Sequence, residues 1–378
     1  MTTTTAAPLT RGPHLNFGSR SIPVLLPKLH DPRLKISAVI VTLQVLGQTV
    51  LEFKLSIAQI LVTIGFCALV DTTVTLRRQG VLAWPASALL TGNSIAFILR
   101  ASGTKHGDWW SLNGIEYFLL AATVAMLVKY LVRPGGRHRF NPSNVALVWC
   151  LLIIGPVQLF PQYLWWGPLD TPVIAALVVI ALGAIWVLNA VRMLPMALAF
   201  LVPFTALIAV WAASGRSFLA IWQAEAISGF DYWLYISTSP EVLIFVFFMM
   251  SDPATAARAP AARIVYGAAT AVVAAGLVFF QPTEYGIKVA ILASLTIVCA
   301  VVPLIETIGR RLARETGPAG PPPELAFRAT RLRAVAMRPT SFAVAIIVLI
   351  AAVGTIKLAS NDDLILIERG LTGPRTAQ

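Results

Sequence analysis

Four stretches of this sequence place chemically capable residues inside otherwise apolar surroundings. Thr91, Gly92, Asn93 and Ser94 interrupt a hydrophobic run with two hydroxyls and a carboxamide. Gly135 to Asn144 reads GGRHRFNPSN. There Asn141 or Ser143 can cap a helix, and Pro142 suits its first turn. Arg137, His138 and Arg139 crowd the same turn, and Asn144 closes the motif. Free N–H groups at a helix start beside arginines suit an anion or a phosphate. The same residues also describe a plain cap flanked by arginines that orient the chain. Ser239, Pro240 and Glu241 form a third helix start: cap, first-turn proline, early acid. Phe247 to Thr255 reads FFMMSDPAT. Asp252 before Pro253 marks a turn, and its carboxylate is placed to hydrogen-bond a ligand at a broken helix end.

Familiar catalytic patterns are missing from the sequence. It contains no HExxH, no phosphate-binding P-loop, no CxxC and no Ser-His-Asp set. Cys67, Cys150 and Cys299 are too dispersed for a metal or iron–sulfur motif and read as buried small hydrophobes. Gln44, Gln48, Asp71, Glu116, Asn189 and Glu306 fall within apolar runs, where polar residues are functional suspects. Of these, Asp71, Glu116 and Glu306 are expected near span ends, within reach of headgroups.

The elements that must position these residues follow from composition. Hydrophobic residues make up 57% of the chain, charged residues only 12%, and the mean hydropathy is +0.77. A soluble domain carries about 25% charged residues, so this surface needs lipid around it. Several runs reach the roughly 20 residues that cross a bilayer as a helix. They are continuous rather than alternating, which excludes a barrel. The net charge of +12 sits in short loops between apolar runs rather than on one soluble face. This argues against nucleic acid and for topology control.

Eleven spans are expected, near 35–52, 55–72, 82–99, 114–132, 143–160, 172–191, 196–213, 239–251, 262–281, 287–308 and 340–359. With the N-terminus in the cytoplasm, 21 of the 29 Lys and Arg fall on the cytoplasmic side and 8 outside, the asymmetry of an inner (plasma) membrane protein. Trp109, Trp110, Trp165, Trp166, Trp222 and Trp233 cluster in the outer segments, where amphipathic rings settle. The start of the chain reads as a tail rather than a signal peptide. The third and eighth runs, polar-centred and short respectively, are each third in a set of five. An odd set inverts its successor, and matching interrupted helices in inverted repeats point to a midplane ligand site. The expected fold class is therefore all-α: a polytopic ten-helix body of two inverted five-helix repeats plus one extra C-terminal span. The expected divisions are a cytoplasmic tail over 1–34, repeats over 35–160 and 161–309, a basic linker over 310–339, the extra span over 340–360 and an outer tail over 361–378.

The stretches TGNSIAFIL, GGRHRFNPSN and FFMMSDPAT, in this order, resemble the RnfD/NqrB family of membrane electron-transport subunits. The resemblance runs from roughly residue 31 to residue 311. RHRFNPSN, QYLWWGPLD and SPEVLIFVFFMMSDP are most similar to its stand-alone UnbU-type branch, linked to enediyne biosynthesis. The resemblance implies a flavin (riboflavin or FMN) held between helices near Asn93, Ser94, Arg139, Asn141, Pro142, Asn144, Glu241, Asp252 and Thr255. Family members often esterify FMN to a threonine in an SGAT-type loop. Thr171 stands about there, but Leu169 and Asp170 replace the small residues before it. A noncovalent flavin is therefore the expectation.

Three function classes follow: an electron-carrying membrane subunit partnered by lipids and by other electron-transport or biosynthetic membrane subunits; a transporter that lost the redox role; or a scaffold using the basic loop Arg310 to Arg338. Bound chromophore separates the first from the other two.

Overall fold

The computed structural model describes residues 13–17, 20–27, 31–133, 138–162, 171–316, 339–361 and 364–366. Most of the basic linker, the glycine turn before His138, the loop 163–170 and both chain ends lie outside these residues.

The described chain is mainly helical. Its first half holds α1 (Pro32–Thr49), α2 (Ile57–Gln79), α3 (Ala86–Ile98), α4 (Ile115–Leu131) and α5 (Pro142–Ile154). The second holds α6 (Thr171–Val191), α7 (Leu194–Ala213), α8 (Gly229–Thr238) and α9 (Pro240–Ile244) running into a π-helix (Phe245–Met250). Then come α10 (Pro260–Phe279), α11 (Glu284–Ala300), α12 (Val302–Thr316) and α13 (Pro339–Leu358). Seven short strands punctuate them: β1 (His14–Phe17), β2 (Arg20–Leu25), β3 (Leu82–Ala83), β4 (Leu99–Ala101), β5 (Leu159–Pro161), β6 (Ser217–Ala220) and β7 (Gln223–Ser228).

Among the described residues, five helical stretches are long and apolar enough to cross a membrane: α2, α6, α7, the run Gly229–Met250, and α10. α11 and α12 would make a sixth, but the pair bends by 68°. α3 and α5 are apolar yet only 13 residues each, about 20 Å of helix. Two expectations change here. The eighth run is not an isolated 13-residue piece, because α8 precedes it and the whole covers 22 residues. The tenth run is not one straight span but breaks at Val301.

Capping explains most of the boundaries. Asp31 caps α1 by accepting from the Arg33 N–H at 2.9 Å. Ser56 and Gln59 form a reciprocal capping box on α2. Thr283 caps α11. Where α3 ends, the chain becomes extended as β4 and pairs antiparallel with β5, Leu99 opposite Pro161. Both strands are largely buried, so this non-helical backbone is hydrogen-bonded inside the protein, as an apolar surrounding demands.

Small residues let the helices approach. α2 packs on α3, α7 on α10, α1 on α6, and α5 on α11. A Cβ built on Gly267 of α10 would lie 2.4 Å from the Met196 carbonyl oxygen of α7. The extra C-terminal helix α13 packs on α11 and α5, and the Gln281 amide donates to the Thr355 carbonyl at 3.0 Å.

Gly267→Ala should therefore cost about 1–3 kcal/mol, because a main chain must move to admit the methyl. Gly276→Ala, on the same helix with nothing within 4 Å of its built Cβ, should be neutral or slightly stabilising. Thermal melts of the two variants in detergent check this; equal melting temperatures would refute the tight α7–α10 contact.

Candidate functional site

The helix start at Asn141 and the broken helix end at Asp252 noted in the sequence come together. α5 begins at Asn141, whose carboxamide oxygen accepts from the Asn144 N–H at 3.2 Å and the Ser143 hydroxyl at 2.8 Å. The Asn141 amide nitrogen reaches the Met249 carbonyl near the end of the π-helix, 3.4 Å away. The turn after the π-helix is held by Asp252, which accepts from the Ala254 N–H at 2.9 Å. The Thr255 hydroxyl leans on the Asp252 carbonyl at 3.4 Å.

Between these ends lies a cavity of about 520 Å³. Ser87, Leu90, Thr91 and Ser94 of α3 line it, as do His138, Asn141, Pro142 and Ser143 from the start of α5. Phe248, Met249, Asp252, Pro253 and Ala254 come from the π-helix and its turn. Asp31, Arg33 and Ile36 of the α1 start and Lys129 of α4 complete the wall. Ser94, Asn141, Pro142 and Asp252, which come from three distant parts of the sequence, thus share one cavity.

The other expected site residues stand elsewhere. Asn93 is buried in α3, off the cavity, with its side-chain oxygen lacking a hydrogen-bond partner. Asn144 turns to α11, donating to the Leu292 carbonyl and the Thr296 hydroxyl, both at 2.9 Å. Arg139 is partly buried, near Cys299 rather than on the cavity. Thr255 is buried behind Asp252. Thr171 opens α6 in an exposed position on neither cavity described here. Arg137 and the glycines before it lie outside the described residues.

Charges around the cavity are largely paired. Arg33 forks onto Asp31, its Nε 3.0 Å from each carboxylate oxygen. That guanidinium holds the Asp31 carboxyl below the usual aspartate range. Lys129 lies 2.7 Å from Asp71, which also accepts from the Tyr130 hydroxyl. Asp71 is therefore an interior partner and not a headgroup anchor. His138 is different: its Nδ1 is buried with no hydrogen-bond partner. Burial, then Arg133 and Lys129, push its pKa below the usual histidine value, so the ring is neutral at pH 7.

A second, small cavity of about 30 Å³ holds Glu241. Its wall includes Gln162, Lys288, Phe245 and Met249, and Met249 lines both cavities. Lys288 sits between two carboxylates, 2.9 Å from Glu241 and 2.7 Å from Glu284. Lys288 stands at the start of the tenth expected run, where a cation would face an interface, but the residue is 4% exposed within α11. The signal was available: Glu284 and Lys288 are spaced i, i+4 at a capped helix start.

Models of known protein families give no match to this chain, and no curated protein matches it.

Two outcomes are expected. Asn144→Ala should destabilise by about 1–3 kcal/mol, since it strips a buried tie between α5 and α11; chemical unfolding in detergent measures it. His138 protonates less readily when folded, so its contribution to stability is present above the unfolded histidine value of about 6.5. It is lost as pH falls through the lower folded value. Melting temperatures across that range should drop in the parent protein and drop less in His138→Gln; parallel pH profiles would remove His138 from the cavity wall.

Proposed function

We propose that the chain is a multi-pass membrane subunit of the RnfD/NqrB type, with its N-terminus in the cytoplasm, that holds a flavin noncovalently in the larger cavity. The observation that carries this reading is the meeting of three distant motifs, around Ser94, Asn141 and Asp252, on one cavity wall. Two inverted five-helix repeats are supported by the packing of like on like: first helix on first (α1 on α6) and fifth on fifth (α5 on α11). α13 would be the additional span.

The residues fit the group. Small-molecule sites span about 300–1,000 Å³, with mostly apolar walls and a few polar groups, and the cavity of about 520 Å³ lies within that range. Ile36, Leu90, Phe248 and Met249 give faces for a flat ring. Ser94, Asn141 and the unpartnered His138 Nδ1 give hydrogen-bonding edges. Arg33 and Lys129 are held by Asp31 and Asp71, so a flavin phosphate would have to compete for them. When bound, the flavin supplies one- and two-electron transfer. The chain's own work is to bind it, fix its edge and keep water from it. Thr171 takes no part, which leaves the attachment noncovalent. Electron transport with neighbouring membrane subunits, in a biosynthetic setting of the enediyne type, is the role this reading assigns.

An absorption spectrum of the purified protein tests it. A flavin band on the order of 450 nm is expected, released into solution by acid denaturation. Ser94→Leu should lower flavin occupancy at least tenfold, about 1.4 kcal/mol or more of binding, while Thr171→Val leaves it unchanged. A folded protein that stays colourless after incubation with riboflavin and FMN would overturn the redox reading in favour of a transporter.

A further inference from the structure

α12 is built unlike the spanning helices. It follows α11 after a bend of 68° at Val301, and α11 is buried along most of its length. With α11 running through the bilayer, a helix turned so far from it lies nearer the membrane plane than the membrane normal. Successive residues of a helix are rotated by about 100°, and this gives α12 three different sides. Val302, Ile305 and Gly309 are buried, and the helix packs on α10. A Cβ built on Gly309 would lie 2.5 Å from Ala262, so this side is closed. Leu304 and Ile308, one turn apart, form a second side; Leu304 is 61% exposed, and Ile308 is exposed too. Pro303, Thr307 and Arg310 form the third, exposed side.

Arginines gather around the apolar stripe. Arg311 follows Leu304 by seven residues, two turns along on nearly the same side, and it is exposed. Its stem can lie along the stripe while the guanidinium reaches toward water. Arg258, also exposed, gives its main-chain N–H to the Glu306 carboxylate of α12, which ties the turn before α10 to this helix. Arg263 of α10 donates to the Arg192 carbonyl at 3.1 Å, bringing the α6–α7 turn to the same side. A stripe of leucine and isoleucine is disfavoured in water, and Arg310 and Arg311 are disfavoured in the hydrocarbon. The boundary between acyl chains and headgroups accepts both.

We infer that α12 is an interfacial helix that binds anionic phospholipids of the surrounding bilayer, with Leu304 and Ile308 sunk into the acyl boundary and Arg258, Arg310 and Arg311 on the headgroup phosphates. Guanidinium groups suit phosphate oxygens, which they can hold with two parallel hydrogen bonds. The occupant is a lipid because only a lipid uses both features at once. A soluble phosphate would leave the stripe uncovered. A second copy packed on this face by two-fold symmetry would set arginine against arginine. The inference needs the membrane-spanning body and no part of the flavin site.

Two measurements on the full-length protein in nanodiscs test this. The first places a fluorescent thiol label at Leu304→Cys or Thr307→Cys; Cys67, Cys150 and Cys299 are buried away from the reagent. A spin label carried high on a lipid acyl chain should quench the label at 304 several-fold more than the label at 307, and aqueous iodide should reverse the order. Equal quenching at both positions overturns the interfacial placement. The second follows hydrogen exchange of the α12 amides in phosphatidylcholine alone and with added phosphatidylglycerol. Phosphatidylglycerol should slow exchange at least several-fold in the parent and leave it unchanged in the double variant Arg310→Gln, Arg311→Gln. Equal rates in the two lipids, or slowing that the folded double variant keeps, overturns the lipid site. Slowing by inorganic phosphate in phosphatidylcholine discs overturns it in favour of a soluble anion, and slowing confined to discs that hold two copies does so in favour of self-association. A colourless protein leaves every one of these outcomes as it stands.

Discussion

A helix that stops inside an apolar medium leaves backbone N–H and C=O groups that no solvent can satisfy. That constraint organises this molecule, because several of its helices do stop early. α3 ends after 13 residues and hands its backbone to the β4–β5 pair. α5 starts on a cap made by Asn141, and α9 starts on one made by Ser239, whose hydroxyl accepts from the Val242 N–H at 3.2 Å. The π-helix ends in the Asp252 turn. Each stop forces polar side chains into an apolar body, and the spaces left between the stops are the two cavities. Chemistry-bearing residues collect there because broken helices need them.

The two cavities differ in electrostatic character. Around the large one, two cations each have their own acid, Arg33 with Asp31 and Lys129 with Asp71. Buried pairs of this kind do little for stability on their own, but removing one partner strands the other charge. They fix geometry and leave a neutral histidine and amides to face a guest. At the small cavity two carboxylates, Glu241 and Glu284, instead share Lys288 beside an unsatisfied amide oxygen of Gln162. Sharing Met249 between them means that motion of one side chain on the π-helix is felt in both.

Much of this was legible in the sequence, for identifiable reasons. Long apolar runs and cap residues give the helices: each expected span overlaps one, and Asn141–Pro142 and Ser239–Pro240 mark the two starts they predict. The α8 lead-in to the eighth run was hidden because Asp231 and the aromatic residues after it read as an interface loop. The bend at Val301 was hidden because hydropathy continues through it. Charges were misread most. Lys129 and Lys288 stand near the ends of expected spans, where cations usually serve to orient the chain, yet both are buried beside carboxylates. A cation near a span end looks the same in sequence whether it faces headgroups or a carboxylate from a distant helix. The Asn144–Thr296 tie joins residues 152 apart, a separation that no local pattern reveals.

Filling the larger cavity puts the central claim to the most direct test. Flavin-depleted protein is titrated into riboflavin and FMN while flavin fluorescence is followed, with Leu90→Trp as the variant that occupies the apolar wall. Saturable quenching by the parent and none by a folded Leu90→Trp protein is the predicted result. Equal quenching by both would place any flavin elsewhere and contradict the account.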